Sequence, residues 1–237
     1  MEKVAVVTGA DRGLGRAMVG QLLESGWRVF AGKNLDWPEL GELAVQFPDR
    51  LTVLPLDVGS DSAVAEATLA VESAVGHLDL LIANAAINRS AHLGSVRAEL
   101  NFDDMLREYN VNALGALRMV KAFLPLLEAG QTKRLCFVSS EAGSVEASQR
   151  TGWFGYCMSK AALNMAVKNL HNDLAGQGFS FRLYHPGWLR TYMSGAKNTE
   201  AHMEPEEGAV FALKYFLEDS VGDGLALRDW EGKVWPW

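Results

Sequence analysis

The hydrophobic residues of the chain form short continuous runs, separated by longer stretches in which apolar and polar residues alternate at helical spacing. Six runs have the length of strands: KVAVVTG, WRVFAG, RLTVLPLDV, LDLLIANAA, RLCFVSS and FSFRLYHPG. The amphipathic stretches between them, such as LGRAMVGQLLESG and DSAVAEATLAVESAVG, predict helices. Strands that are apolar throughout and separated by helices are typical of a parallel sheet covered on both faces. The pattern therefore predicts an α/β fold with one doubly wound sheet.

The other stretches complete this plan. WPELGELAVQF predicts a short helix, one long helix is expected from about Phe102 to Glu128, and a last helix from about Pro205 to Leu217. Gly26 is expected to end the first helix, and Ser60 or Asp61 to cap the third. DGLALRDW predicts an edge strand. The alternation shows no break in composition, so we expect a single domain over residues 1–237.

Composition and charge narrow the classes of partner. The 237 residues are 49% hydrophobic, and the formal net charge of −7 argues against a nucleic-acid-binding protein. No window approaches the run of about 18 apolar residues that a membrane-spanning helix needs, and the amino-terminal apolar run is too short for a secretory signal. Cys136 and Cys157 are the only cysteines, and we interpret them as reduced thiols of a cytoplasmic protein.

The stretch VVTGADRGLGRAM joins the first predicted strand to the first helix. It places Gly9, Gly13 and Gly15 at a turn where backbone N–H groups and a helix N-terminus converge. Without side chains, such a turn lets the backbone approach a pyrophosphate closely. A phosphate-binding loop is therefore predicted, with a ligand crevice at the carboxyl ends of the strands.

The end of the second strand indicates which dinucleotide would bind. A carboxylate there would accept hydrogen bonds from the ribose of NAD and repel a 2′-phosphate. Lys33 and Asn34 occupy this region instead, and Arg12 lies in the glycine loop. Two cations without an acid favour NADP(H), with NAD(H) as the open alternative.

The stretch FGYCMSKAAL places Tyr156 and Lys160 four residues apart in a predicted helix, and therefore on one face. A phenol has a pKa of about 10 in water, and a neighbouring ammonium favours the phenolate and lowers that value. The pair is thus suited to act as a general acid and base where an alkoxide forms or disappears. Taken alone, the spacing is better explained by a packed tyrosine beside a solvated lysine, because a tyrosine and a lysine four residues apart are common.

Together these motifs resemble the short-chain dehydrogenase/reductase family over nearly the whole chain, in the version with three residues between the first two glycines. The resemblance implies a Rossmann-like fold and a cofactor site formed by Gly9, Asp11, Arg12, Gly13, Leu14, Gly15, Lys33, Asn34, Asp57, Val58, Asn84, Ala85, Ala86, Tyr156, Lys160, Pro186, Gly187, Trp188, Leu189 and Thr191. It further implies that the catalytic residues are Asn112, Ser140, Tyr156 and Lys160. Asn112 is preferred to Asn110, and Ser140 to Ser139, because their positions fit the family's runs better.

In the family, the tyrosine exchanges a proton with the substrate oxygen, the lysine binds the nicotinamide ribose, the serine orients the carbonyl, and the asparagine holds a relay water. The resemblance therefore implies hydride transfer between a nicotinamide and a carbonyl or alcohol substrate. The long serine-to-tyrosine stretch, HPGWLRT and the ending WEGKVWPW are similar to carbonyl reductases and C-factor-like members.

The alternatives differ in class. A regulatory or signalling protein on the same fold would often lack the tyrosine or the lysine, and both are present here. Dehydratases and epimerases of the extended branch have a shorter glycine spacing, and enoyl reductases space the tyrosine and the lysine further apart.

We expect a flap at 188–203 and, by analogy with relatives, a homodimer or homotetramer formed through the long helix and the helix of Tyr156. The five histidines do not have the spacing of metal ligands, and the tryptophan-rich end is left open between pocket cover, subunit contact and core.

Overall fold

Strands and helices follow one another in the predicted order. The computed structural model describes residues 2–89, 94–193, 195–219 and 224–237. The strands are β1 (Val4–Val7), β2 (Arg28–Lys33), β3 (Leu51–Pro55), β4 (Leu80–Ala83), β5 (Arg134–Val138), β6 (Ser180–His185), β7 (Leu227–Asp229) and β8 (Val234–Trp235). The helices are α1 (Gly13–Glu24), α2 (Glu39–Gln46), α3 (Asp61–Ala74), α4 (Phe102–Tyr109), α5 (Gly115–Glu128), α6 (Phe154–Leu174) and α7 (Pro205–Phe216).

All eight strands belong to one sheet, in the order β3-β2-β1-β4-β5-β6-β7-β8. Neighbouring strands are parallel except for β7 and β8, which are antiparallel. The prediction that DGLALRDW forms the edge of the sheet is wrong, because β7 pairs on both sides and β8 lies outside it. The strand β8 has only two residues, too few for an alternating pattern to reveal it.

The two faces of the sheet carry separate hydrophobic cores. Val4 and Val6 of β1 point to the side covered by α3, α5 and α6, whereas Ala5 and Val7 point to the side covered by α1, α2 and α7. Successive side chains of a strand face opposite sides of its sheet, so helices on both faces explain why every residue of β1 is buried. The predicted α/β fold, doubly wound and Rossmann-like, is confirmed.

The long helix predicted from Phe102 to Glu128 is interrupted. A π-helical turn at Asn110–Leu114 separates α4 from α5. Asn110 Nδ2 donates a hydrogen bond to the carbonyl of Gly59 after β3, and the Asn112 side chain bonds Ile87 after β4. The wider turn lets two asparagines only two residues apart reach different loops. Apolar spacing carries no signal for this interruption.

Caps at helix ends agree with local sequence. Ser60 caps α3 through a hydrogen bond that its hydroxyl accepts from the N–H of Ala63, which decides between Ser60 and Asp61. Gly26 follows α1 with φ 84°, the left-handed conformation that commonly ends a helix. In the part of the chain that the structure describes, no helix is long and apolar enough to cross a membrane.

Candidate functional site

A cavity of about 840 Å³ lies at the carboxyl ends of the parallel strands. Most of the predicted site residues line it: Gly9, Asp11, Arg12, Gly13, Leu14, Gly15, Asn34, Asp57, Val58, Asn84, Ala85, Ala86, Ser140, Tyr156, Lys160, Pro186, Gly187, Trp188, Leu189 and Thr191. Lys33 and Asn112 do not line it. The fold thus brings together residues from loops more than 170 positions apart in sequence, from Gly9 to Thr191.

The glycine loop is packed so tightly against β4 that side chains would not fit. A Cβ on Gly9 would lie 2.7 Å from Ala85 Cα, and a Cβ on Gly15 would collide with the carbonyl oxygen of Gly9. Asn84 fixes the loop by donating hydrogen bonds from Nδ2 to the carbonyls of Thr8 and Gly9, at 2.9 and 3.0 Å. The loop is therefore held in one shape by β4.

The first turn of α1 is open to an anion. The residue preceding it, Arg12, has extended backbone and forms no side-chain cap. The first N–H groups of a helix have no partner within the helix, and together with the helix dipole they favour a phosphate. A glycine-lined turn that abuts an uncapped helix N-terminus fits a pyrophosphate, as the sequence predicts.

The two cations that favoured NADP(H), Arg12 in the glycine loop and Lys33 at the end of β2, have different surroundings. The Arg12 guanidinium lines the cavity, lies 4.7 Å from the centre of the Trp37 ring and donates a hydrogen bond to the carbonyl of Tyr192 at 3.1 Å. Lys33 instead pairs with the exposed Asp36 at 2.7 Å. The hydrogen bond from Lys33 holds the pKa of Asp36 below its usual range. Only Arg12 is therefore placed to meet a ligand in the cavity.

Asp11 shapes the turn after β2. Its carboxylate accepts hydrogen bonds from the backbone N–H groups of Asn34 and Leu35, the latter at 2.9 Å. The acid that would read a ribose hydroxyl is absent from the end of β2, and the nearby acid in the glycine loop is occupied by backbone. Trp37 and Tyr192, whose rings lie 4.9 Å apart, both contact Arg12. Tyr192 falls within the predicted flap at 188–203, whereas Trp37 was not predicted.

Tyr156 and Lys160 lie on one face of α6, both buried, at the wall of the cavity. The Tyr156 hydroxyl shares a hydrogen bond with the side chain of Ser140. Lys160 Nζ donates a hydrogen bond to the carbonyl of Val138 at 3.0 Å and lies 5.6 Å from the centre of the Tyr156 ring. Helical spacing and the end of β5 thus bring the three predicted side chains together.

The electrostatics of this pair differ from the sequence-based prediction. Burial raises the pKa of Tyr156 above its ordinary value, and the hydrogen bond with Ser140 lowers it by less. Burial also lowers the pKa of Lys160 to about 8. The prediction that the ammonium brings the phenol's pKa below its ordinary value is wrong for the protein alone, because burial disfavours the charged phenolate and the nearby carboxylates of Glu141 and Glu108 raise the pKa further.

Asn112 lies beneath the cavity rather than on its wall. Its Oδ1 accepts a hydrogen bond from the N–H of Ile87 at 2.8 Å, and its Nδ2 donates to the carbonyl of Ile87 and to Ser159 Oγ. Ser159 Oγ in turn donates to the carbonyl of Tyr156 at 2.7 Å. The side chain of Asn112 therefore ties the segment after β4 to the helix that carries Tyr156.

Three residues of the predicted flap, Met193, Asn198 and His202, also line the cavity. So do Trp230 and Trp235 of the tryptophan-rich end, and five residues that no motif indicated: Asn88, Glu141, Arg150, Trp153 and His185. Trp235 therefore contributes to the wall, which answers the question about the tryptophan-rich end for this residue. The only sequence signal for this role was the high frequency of tryptophan near the end of the chain.

His185 lines the cavity, and the centre of its ring lies 6.0 Å from that of Trp235. Burial lowers its pKa to about 4, so the imidazole is neutral at neutral pH. Its Nδ1 is buried and forms no hydrogen bond. Among residues 2–89, 94–193, 195–219 and 224–237, no group of three metal-binding side chains is close enough to hold a metal ion; His92 lies outside these ranges.

The model of the family described as short chain dehydrogenase matches residues 3–202. The chain belongs to this family. The dehydrogenase is 36% identical to the C-signal protein of Myxococcus xanthus, over 68% of this chain and 94% of that protein. An uncharacterised oxidoreductase of Schizosaccharomyces pombe is also 36% identical, over 96% of this chain and 90% of its own.

Among solved structures, an NADPH-bound carbonyl reductase from chicken fatty liver superposes with a TM-score of 0.86 at 30% identity, covering 100% of this chain and 99% of the other. The predicted likeness to carbonyl reductases and C-factor-like members is therefore confirmed. This short-chain dehydrogenase is an oxidoreductase.

Proposed function

We propose that the protein is an NADP(H)-dependent carbonyl reductase that interconverts carbonyl and alcohol substrates. The observation that carries this proposal is the position of Tyr156, hydrogen-bonded to Ser140, in the same cavity as the glycine loop. A donor and an acceptor for protons thus lie where a dinucleotide held by the loop would place its reactive end. When bound, NADPH supplies the electron pair and hydrogen that reduce the carbonyl carbon.

The chain's own part in the reaction is to orient the substrate and to move a proton. The substrate oxygen would lie between the hydroxyls of Ser140 and Tyr156, and Tyr156 would donate its proton as the oxygen gains charge. Lys160, buried beside the ring, would favour the phenolate that remains. Asn112 would support this arrangement by bonding the strand-end segment and, through Ser159, the first turn of α6.

The residues that would hold the nucleotide follow from the cavity. The glycine loop and the N-terminus of α1 fit the pyrophosphate, and Asp57 and Val58 lie on the wall beyond β3, where the resemblance places the adenine. Arg12 is the guanidinium available for a 2′-phosphate, because it lines the wall beside Asn34. The chicken carbonyl reductase, which binds NADPH, supports NADP(H) over NAD(H).

Arg12 and Lys33 give a matched test of cofactor preference. Arg12→Gln is expected to raise the Kd for NADPH about tenfold and to leave that for NADH within about threefold, because a guanidinium–phosphate contact is lost. Lys33→Gln is expected to change neither, since Lys33 is paired with Asp36 outside the cavity. Fluorescence titration with both nucleotides measures this. A larger loss of NADPH affinity in Lys33→Gln than in Arg12→Gln would contradict the assignment.

Turnover is tested directly by incubating the protein with NADPH and benzaldehyde, diacetyl, cyclohexanone or menadione, and following the loss of NADPH absorbance. Reduction of at least one probe is expected.

A second candidate function is that of a signalling protein, which the likeness to the C-signal protein favours. Tight NADPH binding with no turnover of any carbonyl would favour the second candidate.

The substrate would enter beside segment 188–203. We propose this segment as a flap of the single domain, because Trp188 and Met193 line the cavity and are still 54% and 39% exposed. Ser194, within the flap, lies outside the described residues. A cytoplasmic location belongs to the same proposal and is supported by the free thiols of Cys136 and Cys157.

We also propose that the protein forms a homodimer or homotetramer through α4, α5 and α6. Phe102, Leu106 and Met158 are each more than half exposed and border an apolar groove of about 520 Å³ between α4 and α6. Light scattering is expected to show an oligomer that Leu106→Glu dissociates, because a carboxylate would be buried at the contact. Val45→Glu, on the exposed surface of α2, is the control and is expected to change nothing. A monomeric wild-type protein would contradict this proposal.

A further inference from the structure

Trp153, immediately before α6, has an unusual backbone. Its φ is 61° and its ψ is 36°, in the left-handed region that bulky side chains disfavour. Among the residues that the structure describes, only Lys133 shares a positive φ without being a glycine. Such a conformation persists only where surrounding contacts impose it, and these sites are frequent near catalytic centres.

The indole of Trp153 makes three contacts with its surroundings. Its ring stacks on the ring of Tyr156, with centroids 4.7 Å apart and planes 13° from parallel. Its N–H donates a hydrogen bond to Asn88 Oδ1 at 3.0 Å. The guanidinium of Arg150 lies 5.3 Å from the centre of the indole and pairs with Glu141 at 2.8 Å. The indole is therefore anchored to the segment after β4 and to the turn that follows Ser140.

The position of Tyr156 in its helix explains why an anchor is needed. Tyr156 is the third residue of α6, and the first helical hydrogen bond runs from the N–H of Cys157 to the carbonyl of Trp153. The first turn of a helix lacks backbone partners for its leading N–H groups and is the turn most prone to fraying. Proton transfer requires the phenol oxygen to be placed within a fraction of an ångström. A left-handed residue at the helix start turns the indole back over this first turn.

We propose that Trp153 is a positioning residue, whose stacked indole fixes the orientation of the Tyr156 ring against Ser140. The inference rests on the proposed reductase function and adds to it a residue outside the family motif. Trp153 would act through Tyr156 and take no part in proton transfer. The strained backbone is retained because the unstrained alternatives direct the indole away from the phenol.

Substitutions at two positions separate positioning from stability. Trp153→Gly removes both the strain and the indole, and is expected to lower kcat at least about tenfold while KM and the Kd for NADPH stay within about threefold. Trp153→Phe keeps a ring for the stack but loses the N–H, and is expected to recover part of kcat. Lys133→Gly relaxes the other left-handed residue, remote from the cavity, and is expected to raise Tm slightly without changing kcat.

The assay uses NADPH and whichever probe among benzaldehyde, diacetyl, cyclohexanone and menadione the wild-type protein reduces fastest. A Trp153→Gly variant with wild-type kcat would overturn the inference, and so would a Trp153→Phe variant no faster than Trp153→Gly. A fall in kcat for Trp153→Gly with partial recovery in Trp153→Phe would support it.

Crystal structures of the wild-type and Trp153→Gly proteins with NADPH decide the matter independently of turnover. The Tyr156 ring is expected to rotate away from Ser140 in the variant. A ring that keeps its wild-type position would overturn the inference. A wild-type protein that reduces no probe overturns the reductase proposal instead, and the two structures still show whether the indole positions the phenol.

Discussion

Replacing Tyr156 with phenylalanine is expected to lower kcat by about 10³-fold, because a general acid at the reacting oxygen typically contributes 10²–10⁴-fold. The substitution removes one hydroxyl and leaves the ring, its stack on Trp153 and its burial unchanged. Ser140 keeps a partner, since its Oγ accepts a hydrogen bond from the N–H of Ala142 at 3.1 Å. We therefore expect the Kd for NADPH to stay within about threefold of wild type. Steady-state kinetics and nucleotide titration measure the two effects.

A second buried tyrosine provides the control. Tyr184 in β6 is fully buried, and its hydroxyl is buried without a hydrogen-bond partner. Tyr184→Phe removes the same atoms away from the cavity wall, so kcat is expected to be unchanged. The stability of Tyr184→Phe is expected to rise, because it removes a buried hydroxyl that has no hydrogen-bond partner among the described residues. If Tyr156→Phe kept more than about a tenth of wild-type turnover, the general-acid role would be excluded.

Replacing Lys160 with methionine is expected to lower activity and to raise stability. The lysine side chain is 2% exposed, and within the part of the chain that the structure describes its ammonium hydrogen-bonds only the carbonyl of Val138. Its burial lowers its pKa from an ordinary 10.5 to about 8, which means that the charged form is disfavoured in the folded protein. Methionine fills a similar volume without charge. The free energy of unfolding at pH 7 is expected to rise by about 2 kcal/mol, while kcat falls by at least about 10²-fold.

The stability gained by Lys160→Met is expected to decrease as the pH rises. Between pH 8 and 10.5 the unfolded chain binds more protons at Lys160 than the folded chain, so wild-type stability increases with pH in that window. Below pH 8 the cost of burying the charge is complete. The advantage of Lys160→Met is therefore expected to be largest at pH 7 and to shrink towards pH 10. Urea unfolding at several pH values measures it.

Lys168→Met is the matched control, because Lys168 lies exposed on the same helix. It is expected to change neither kcat nor the pH dependence of unfolding. If Lys160→Met were less stable than wild type at every pH, the buried ammonium would have to be a net stabilising group, contrary to this account.

The fold could be predicted almost completely because each strand and helix has a clear local pattern. The four residues of β1 are all apolar, which predicts a strand covered on both faces, and all four are buried. The π turn was not predicted, because it depends on how Asn110 and Asn112 reach Gly59 and Ile87 across space. The final strand β8 was not predicted, because two residues cannot show a period.

In the candidate site, too, residues on sequence motifs could be predicted and residues that depend on contacts across space could not. Residues on recurrent motifs, such as Gly15 and Lys160, were named from sequence and line the cavity. The roles of Trp153 and Arg150 depend on tertiary stacking, which has no sequence period. Lys33 lies outside the cavity, and its ion pair with Asp36, three residues further along the chain, is a local contact that the sequence already offered.

The π turn between α4 and α5 also constrains how the chain can change length. Each residue of a helix advances the chain by about 100° around the axis. A π turn holds one residue more than an α-helical turn, so deleting Val111 would close Asn110–Leu114 to an ordinary turn and leave Phe123 of α5 facing the core, at the cost of the spacing by which Asn110 and Asn112 reach Gly59 and Ile87. Loss of a single codon is therefore better tolerated at this turn than within α5, where it would rotate the residues that follow by about 100°.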